Sequence, residues 1–172
     1  VEEDDGGMST VQHAAQTIAL AEATAFVWAE NELLDRLAYR DWLKLWDPRG
    51  LYVIPIDRDA ADAAEALNVA YDDQTMREAR VKRLLSGFSM SSAPPARTVR
   101  TTSRFVVEPG DAQSITLRCG QILVEYKYGR TRTLGADVTY VLVSRPEGLK
   151  MTRKTILLLN SDEDLFGIGY LL

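Results

Sequence analysis

Four long segments of alternating polar and apolar residues fill the second half of this chain. They run at about 97–107, 115–128, 132–144 and 149–160. Pro109-Gly110-Asp111 and Arg145-Pro146-Glu147-Gly148 supply turn chemistry between them. Period-two alternation sends successive side chains to opposite faces of a sheet. Turns too short for a crossover make neighbouring strands antiparallel. The chain is thereby constrained to a meander of four strands, long enough that the sheet must twist and bend. In the second segment Ile115, Leu117 and Cys119 share one parity, whereas Ile122, Val124, Tyr126 and Tyr128 share the other. One extra residue at Gly120 would keep a single apolar face, so a β-bulge is expected there.

The first half reads mostly as helix. Ser9-Thr10-Val11-Gln12 fits a capping box. A long helix follows to Leu34, with Ile18, Ala21, Ala25, Trp28 and Leu33 or Leu34 along one face. Asp35 caps a second helix to about Trp46, in which Trp42, Leu45 and Trp46 form an apolar stripe. Asp47-Pro48-Arg49-Gly50 ends it, and Leu51 to Ile56 is a short strand placed at an edge by Pro55. Residues 57–70 read as loop with a possible helical turn. Thr75 caps a third helix, Met76 to about Leu85, with Met76, Ala79 or Arg80, Val81 and Leu84 in contact and Arg77, Lys82 and Arg83 pointing elsewhere. Helices first and an antiparallel sheet after them make an α+β fold.

The length of 172 residues suits one domain, with residues 1–8 disordered, Met8 an alternative start and residues 9–172 folded. Composition is that of an ordinary globule, 46% apolar and 26% charged. A single cysteine, Cys119, excludes an intrachain disulfide and points to a reducing, cytoplasmic setting. No apolar run reaches ~18 residues, so no membrane partner is expected. Charge is uneven. Residues 1–75 carry 16 acidic and 5 basic side chains, net −11, and residues 76–172 carry 9 acidic and 15 basic, net +6. No aromatic residues interleave Arg80, Lys82 and Arg83 as stacking platforms, which argues against nucleic acid. The halves can instead fold against each other or meet a charged protein.

Candidate chemistry is sparse. His13 is the only histidine. A Rieske cluster takes two Cys and two His, and a mononuclear iron site takes two His and a carboxylate; this chain supplies neither set. No metal or cofactor held by such ligands is therefore expected here. His13 reads as a surface residue, and Cys119, Trp28, Trp42 and Trp46 as core. Asp72 and Asp73 read as cap and dipole partners of the third helix. Asp137 is either an interior general base or an outward, ion-paired residue, the latter preferred.

The stretch from Tyr71 to Val107 is the most specific. A Tyr71-Asp72-Asp73 turn precedes a helix carrying Met76, Arg80 and Arg83, and Pro94-Pro95-Ala96-Arg97-Thr98 leads into the first long strand. In this order the residues resemble the small (beta) subunits of the aromatic-ring-hydroxylating dioxygenases. The resemblance extends from about Val11 to Leu172. It takes in Leu33-Leu34-Asp35, Trp42-Leu43, the Tyr52–Pro55 strand and the apolar end from Asp164 to Leu172, where Asp164 and Tyr170 replace the family's asparagine and phenylalanine. Residues 57–70 depart from the family pattern.

The resemblance implies a cystatin-like cone, the fold of nuclear transport factor 2 and ketosteroid isomerase. It implies a non-catalytic structural subunit, forming a homotrimer within a hexamer of three large and three small subunits. The large (alpha) subunit would hold the Rieske [2Fe-2S] cluster, the mononuclear non-haem iron and the substrate pocket, with electrons arriving through a reductase and often a ferredoxin. Asp72, Asp73, Arg80, Arg83, Pro94, Pro95, Arg97 and Arg100 are the candidate partner interface; seven basic residues and one acidic residue lie between Arg77 and Arg104. Alternatively these arginines pair with the acidic first half. The alternative function is a stand-alone cone-fold isomerase or dehydratase, or a small-molecule binding protein, using an interior carboxylate with a tyrosine.

Overall fold

The computed structural model describes residues 18–60, 62–87, 94–108, 113–163, 165 and 167–172. The Ser9 cap, Met8, His13, the expected disorder of residues 1–8 and the 109–111 turn lie outside them. Among the described residues, three helices, α1 (Leu20–Asp35), α2 (Tyr39–Leu43) and α3 (Gln74–Leu85), accompany six strands. The strands are β1 (Trp46–Pro55), β2 (Asn68–Asp72), β3 (Arg97–Glu108), β4 (Ser114–Lys127), β5 (Arg130–Arg145) and β6 (Gly148–Leu158). They form one sheet in the order β2-β1-β6-β5-β4-β3.

The antiparallel meander runs from β3 to β6. Tyr128 and Gly129, both at positive φ, make the β4–β5 turn. Two left-handed residues match the twist of the strands they join, and glycine takes one of the positions without strain. The sheet is nevertheless mixed and larger than four strands. β1 lies parallel to β6 and antiparallel to β2, so it is interior rather than an edge. Pro55 is tolerated at the end of β1, where the register with β2 shifts. The edge on that side is β2, formed by residues of the stretch expected to be loop, with Tyr71 and Asp72 extending it.

The bulge is on β3, not at Gly120. The β4–β5 ladder passes unbroken through Gly120↔Asp137. Across it, Ser103 pairs with Gly120 and Val106 with Arg118, which leaves one extra residue on β3. Arg104 occupies it at positive φ. Its guanidinium lies over Gly120, where a Cβ would come within 3.1 Å of Nη2. The glycine thus marks clearance for a neighbour's side chain. In β4 the buried parity continues past it through Gln121, Leu123 and Glu125. Ile122, Val124, Tyr126 and Tyr128 keep to the other face because no face switch occurs.

The helices depart from expectation where polar residues enter the core. The buried stripe of α1 is Ala23, Val27, Glu30, Asn31 and Leu34; Ala21, Ala25 and Trp28 are exposed. Apolar counting misses this stripe because two of its five members are polar. Trp28 meets Phe105 edge to face on the surface. α2 is capped by Ala38 without a side-chain bond, and it ends before Trp46, which opens β1. Asp35 instead ends α1. The α3 cap is Asp73, whose carboxylate accepts from the Met76 N–H at 2.9 Å. Thr75 is already helical. Arg77, expected to point away, is buried; its guanidinium stacks on Trp46 at 4.2 Å and donates to the Gly50 and Asp72 carbonyls. Met76 is exposed instead. Trp42, Trp46 and Tyr52 form a T-shaped cluster with ring separations of 5.4–6.2 Å. Such pairs add about 0.5–1.5 kcal/mol each beyond burial.

Candidate partner interface and closed interior

Glu30 projects from α1 onto the buried face of the sheet. Its carboxylate accepts from Trp42 Nε1 at 2.9 Å, Tyr140 Oη at 2.9 Å and Lys154 Nζ at 2.7 Å. All four side chains are fully buried. Lys154 reaches this face because it shares the parity of Ile156 and Leu158 in β6. Burial pulls the Lys154 ammonium below its ordinary value, with Glu30 working against that shift. Burial, reinforced by Glu30, raises the Tyr140 phenol well above its own. Cys119 lies in the same core, its thiol pushed up to about 11 by burial.

The interior is closed by the segment Tyr170–Leu172. Tyr52 Oη donates to the Leu172 carbonyl oxygen at 3.2 Å and accepts from its N–H at 3.0 Å. Lys154 Nζ donates to the same oxygen at 3.0 Å. Arg100 donates to the Leu171 carbonyl. Glu30 and Tyr140 form the carboxylate–tyrosine pair that an isomerase reading needs, but neither side chain reaches solvent. Asp137 is on the opposite face, paired with Arg104 at 2.6 Å and Arg58 at 3.8 Å. An interior general base at Asp137 is therefore ruled out by strand parity. The Glu30 network went unread from sequence. Its signals were a glutamate three residues after Val27 and four before Leu34, and a lysine in phase with Ile156.

The sequence-predicted interface residues divide into two sets. Asp72 is buried in a two-pronged ion pair with Arg80, Oδ1 to Nη2 at 2.9 Å and Oδ2 to Nε. This pair raises the Arg80 guanidinium above its usual value. Arg100 has a fully buried side chain paired with Asp35. Asp35 also accepts from Thr98 Oγ1 at 2.7 Å and the Arg100 N–H at 2.8 Å, so one carboxylate ties α1 to β3. Thus Arg80 and Arg100 pair with the acidic first half. Asp73, Arg83, Pro94, Pro95 and Arg97 are exposed. Arg97 lies 4.7 Å above the Tyr126 ring on the outer sheet face.

That outer face exposes apolar side chains. Val99 is 55% exposed, Ile122 54%, Tyr126 42% and Leu159 65%. Val99 pairs with Val124 across β3–β4. Leu159 covers Gly135, where a Cβ would meet its Cδ1 at 2.8 Å. Ile122 pairs with Gly135, which brings Leu159 beside it. Among the described residues no group of three or more His, Cys, Asp and Glu side chains could hold a metal ion. With one histidine and one cysteine, the sequence does not fit a Rieske cluster. No described helix is long and apolar enough to cross a membrane.

The family model described as "Ring hydroxylating beta subunit" matches residues 29–162. The chain belongs to this family. The beta subunit of benzoate 1,2-dioxygenase from Acinetobacter baylyi is 26% identical over 149 residues, spanning 84% of this chain and 88% of that one. The crystal structure of the benzoate 1,2-dioxygenase beta subunit from Burkholderia mallei superposes with a TM-score of 0.75 at 24% identity, covering 91% of this chain and 99% of that one. An NTF2-like protein with a cystatin-like fold from Novosphingobium aromaticivorans superposes at 0.56 with 14% identity, covering 88% of each chain. The ring-hydroxylating beta subunit thus has the expected α+β cone architecture, with a mixed six-stranded sheet.

Proposed function

We propose that this beta subunit is a non-catalytic scaffold of an aromatic-ring-hydroxylating dioxygenase. It assembles as a trimer within a three-large, three-small cytoplasmic complex. The large subunit holds the Rieske cluster, the mononuclear iron and the substrate pocket, and it receives electrons from a reductase, directly or through a ferredoxin. One observation carries the reading: the interior is closed around Glu30, Lys154 and Tyr140, while apolar side chains stand in solvent on the outer face. Catalysis needs a site that substrate can enter. Assembly needs apolar surface with a polar rim.

In this reading Asp73, Arg83, Pro94, Pro95 and Arg97 contact a partner directly, and Asp72, Arg80 and Arg100 brace the elements that present them. Val99, Ile122, Tyr126 and Leu159 are covered on assembly. The names of the relatives make benzoate the first substrate to try. The test is co-expression of this chain with a Rieske-bearing large subunit, followed by metal analysis of each separated chain. The expected result is a stable complex with all iron on the large subunit. Stoichiometric iron on this chain, or ring hydroxylation by this chain alone, would overturn the proposal.

A further inference from the structure

The last described residues do not merely pack against the cone; their backbone is held by side chains from three strands. Tyr52 of β1 both donates to and accepts from Leu172, Lys154 of β6 donates to its oxygen, and Arg100 of β3 donates to Leu171. These bonds go to main-chain groups, so they recognise a peptide backbone rather than a particular side chain. Side-chain selectivity comes from burial: Tyr170, Leu171 and Leu172 are 7%, 1% and 2% exposed. A polar cradle surrounded by apolar walls is the arrangement of a peptide-binding pocket. Among the described residues, Tyr52 Oη hydrogen-bonds to the Leu172 backbone on both its donor and its acceptor side.

We propose that the cone interior is a binding site for an apolar peptide segment, and that the chain fills it in cis with Tyr170–Leu172. This goes beyond the subunit reading and does not depend on it. The ligand class is a short peptide that presents Tyr-Leu-Leu. Emptying the site should allow the same sequence to return in trans.

The experiment uses the full chain carrying L171S and L172S, which removes the apolar anchors and keeps every main-chain group. The probe is the synthetic peptide Gly-Ile-Gly-Tyr-Leu-Leu. The variant is expected to melt earlier than the unchanged chain, and the peptide to bind it saturably and restore the melting temperature. Adding Tyr52→Phe should weaken peptide binding about tenfold, the effect of losing one or two net hydrogen bonds. The unchanged chain, its site full, should bind the peptide far more weakly. An unaltered melting temperature in the double-serine variant would overturn the proposal. So would a folded variant indifferent to the peptide, or equal binding to the unchanged chain, which would mark a surface site. If the variant does not fold alone, it is refolded with peptide present; no recovery under those conditions also overturns the proposal.

Discussion

Lys154 and Ile122 lie on opposite faces of one sheet, and each takes the place usual for the other. The lysine is fully buried, whereas the isoleucine is more than half exposed. A charge in the core costs several kcal/mol of desolvation, roughly, unless paired and hydrogen-bonded. Lys154 meets that condition through Glu30 and the Leu172 oxygen. An exposed isoleucine costs little by itself, but grouped with Val99, Tyr126 and Leu159 it belongs to an exposed apolar face. The inversion separates two tasks. The interior uses its polar groups to close itself, and the outer face leaves apolar groups exposed. A catalytic cone needs the reverse, with polar groups available inside and a solvated exterior.

Breaking the interior is expected to have the largest effect. Lys154→Met leaves Glu30 charged and buried with only neutral donors, which should cost about 3–5 kcal/mol in urea denaturation at fixed protein concentration. The neutral double variant Glu30→Gln with Lys154→Met keeps an acceptor oxygen for Trp42 and Tyr140. It should recover much of that loss. A single variant as stable as the unchanged chain would show that water reaches this pair.

Two of the three arginines of β3, Arg97 and Arg100, point to different faces. Arg100→Glu places a second carboxylate against Asp35 and should destabilise the fold by roughly 2–5 kcal/mol. Arg97→Glu should shift stability by less than about 0.5 kcal/mol and weaken capture of the large subunit. Equal loss of stability in both would place Arg97 with the structural arginines.

Asp47 gives a smaller, pH-dependent effect. Burial pushes its carboxyl up, but the Arg49 N–H and the Arg145 guanidinium outweigh that and hold it below its usual value. Its distances are 3.1 Å to the Arg49 N–H and 2.7 Å to Arg145 Nη2. A depressed folded-state pKa gives stability that is complete above the unfolded value of 3.8 and lost as pH falls through the folded value. Asp47→Asn should therefore cost about 1–2 kcal/mol at neutral pH and flatten the acid limb below about pH 4. The check is urea titration at pH 7 and pH 3; an unchanged acid limb would remove Asp47 from the account.

The meander was legible because alternation and turn residues act locally. β1 was only half legible: its parallel partner β6 lies some hundred positions away, and no local pattern encodes that pairing. Asp73 and Thr75 were both competent caps, and the helix starts at the earlier of the two. The parity signal at Gly120 was real, but it reflected exposed apolar residues on the outer face instead of a bulge. That error had one source, the assumption that apolar residues belong inside. The same assumption hid Glu30 and Lys154 and placed Trp28 in the core. Arg97 and Arg100 look alike in sequence; only strand parity and the position of Asp35 separate them.

In the proposed scaffold the interior takes no part in the chemistry. This is tested by assembling the Glu30→Gln, Lys154→Met chain with its large subunit and measuring benzoate turnover per iron centre. Unchanged turnover in an intact complex is the predicted result. An intact complex whose turnover falls by an order of magnitude or more would contradict the account and assign the buried carboxylate a role in the reaction.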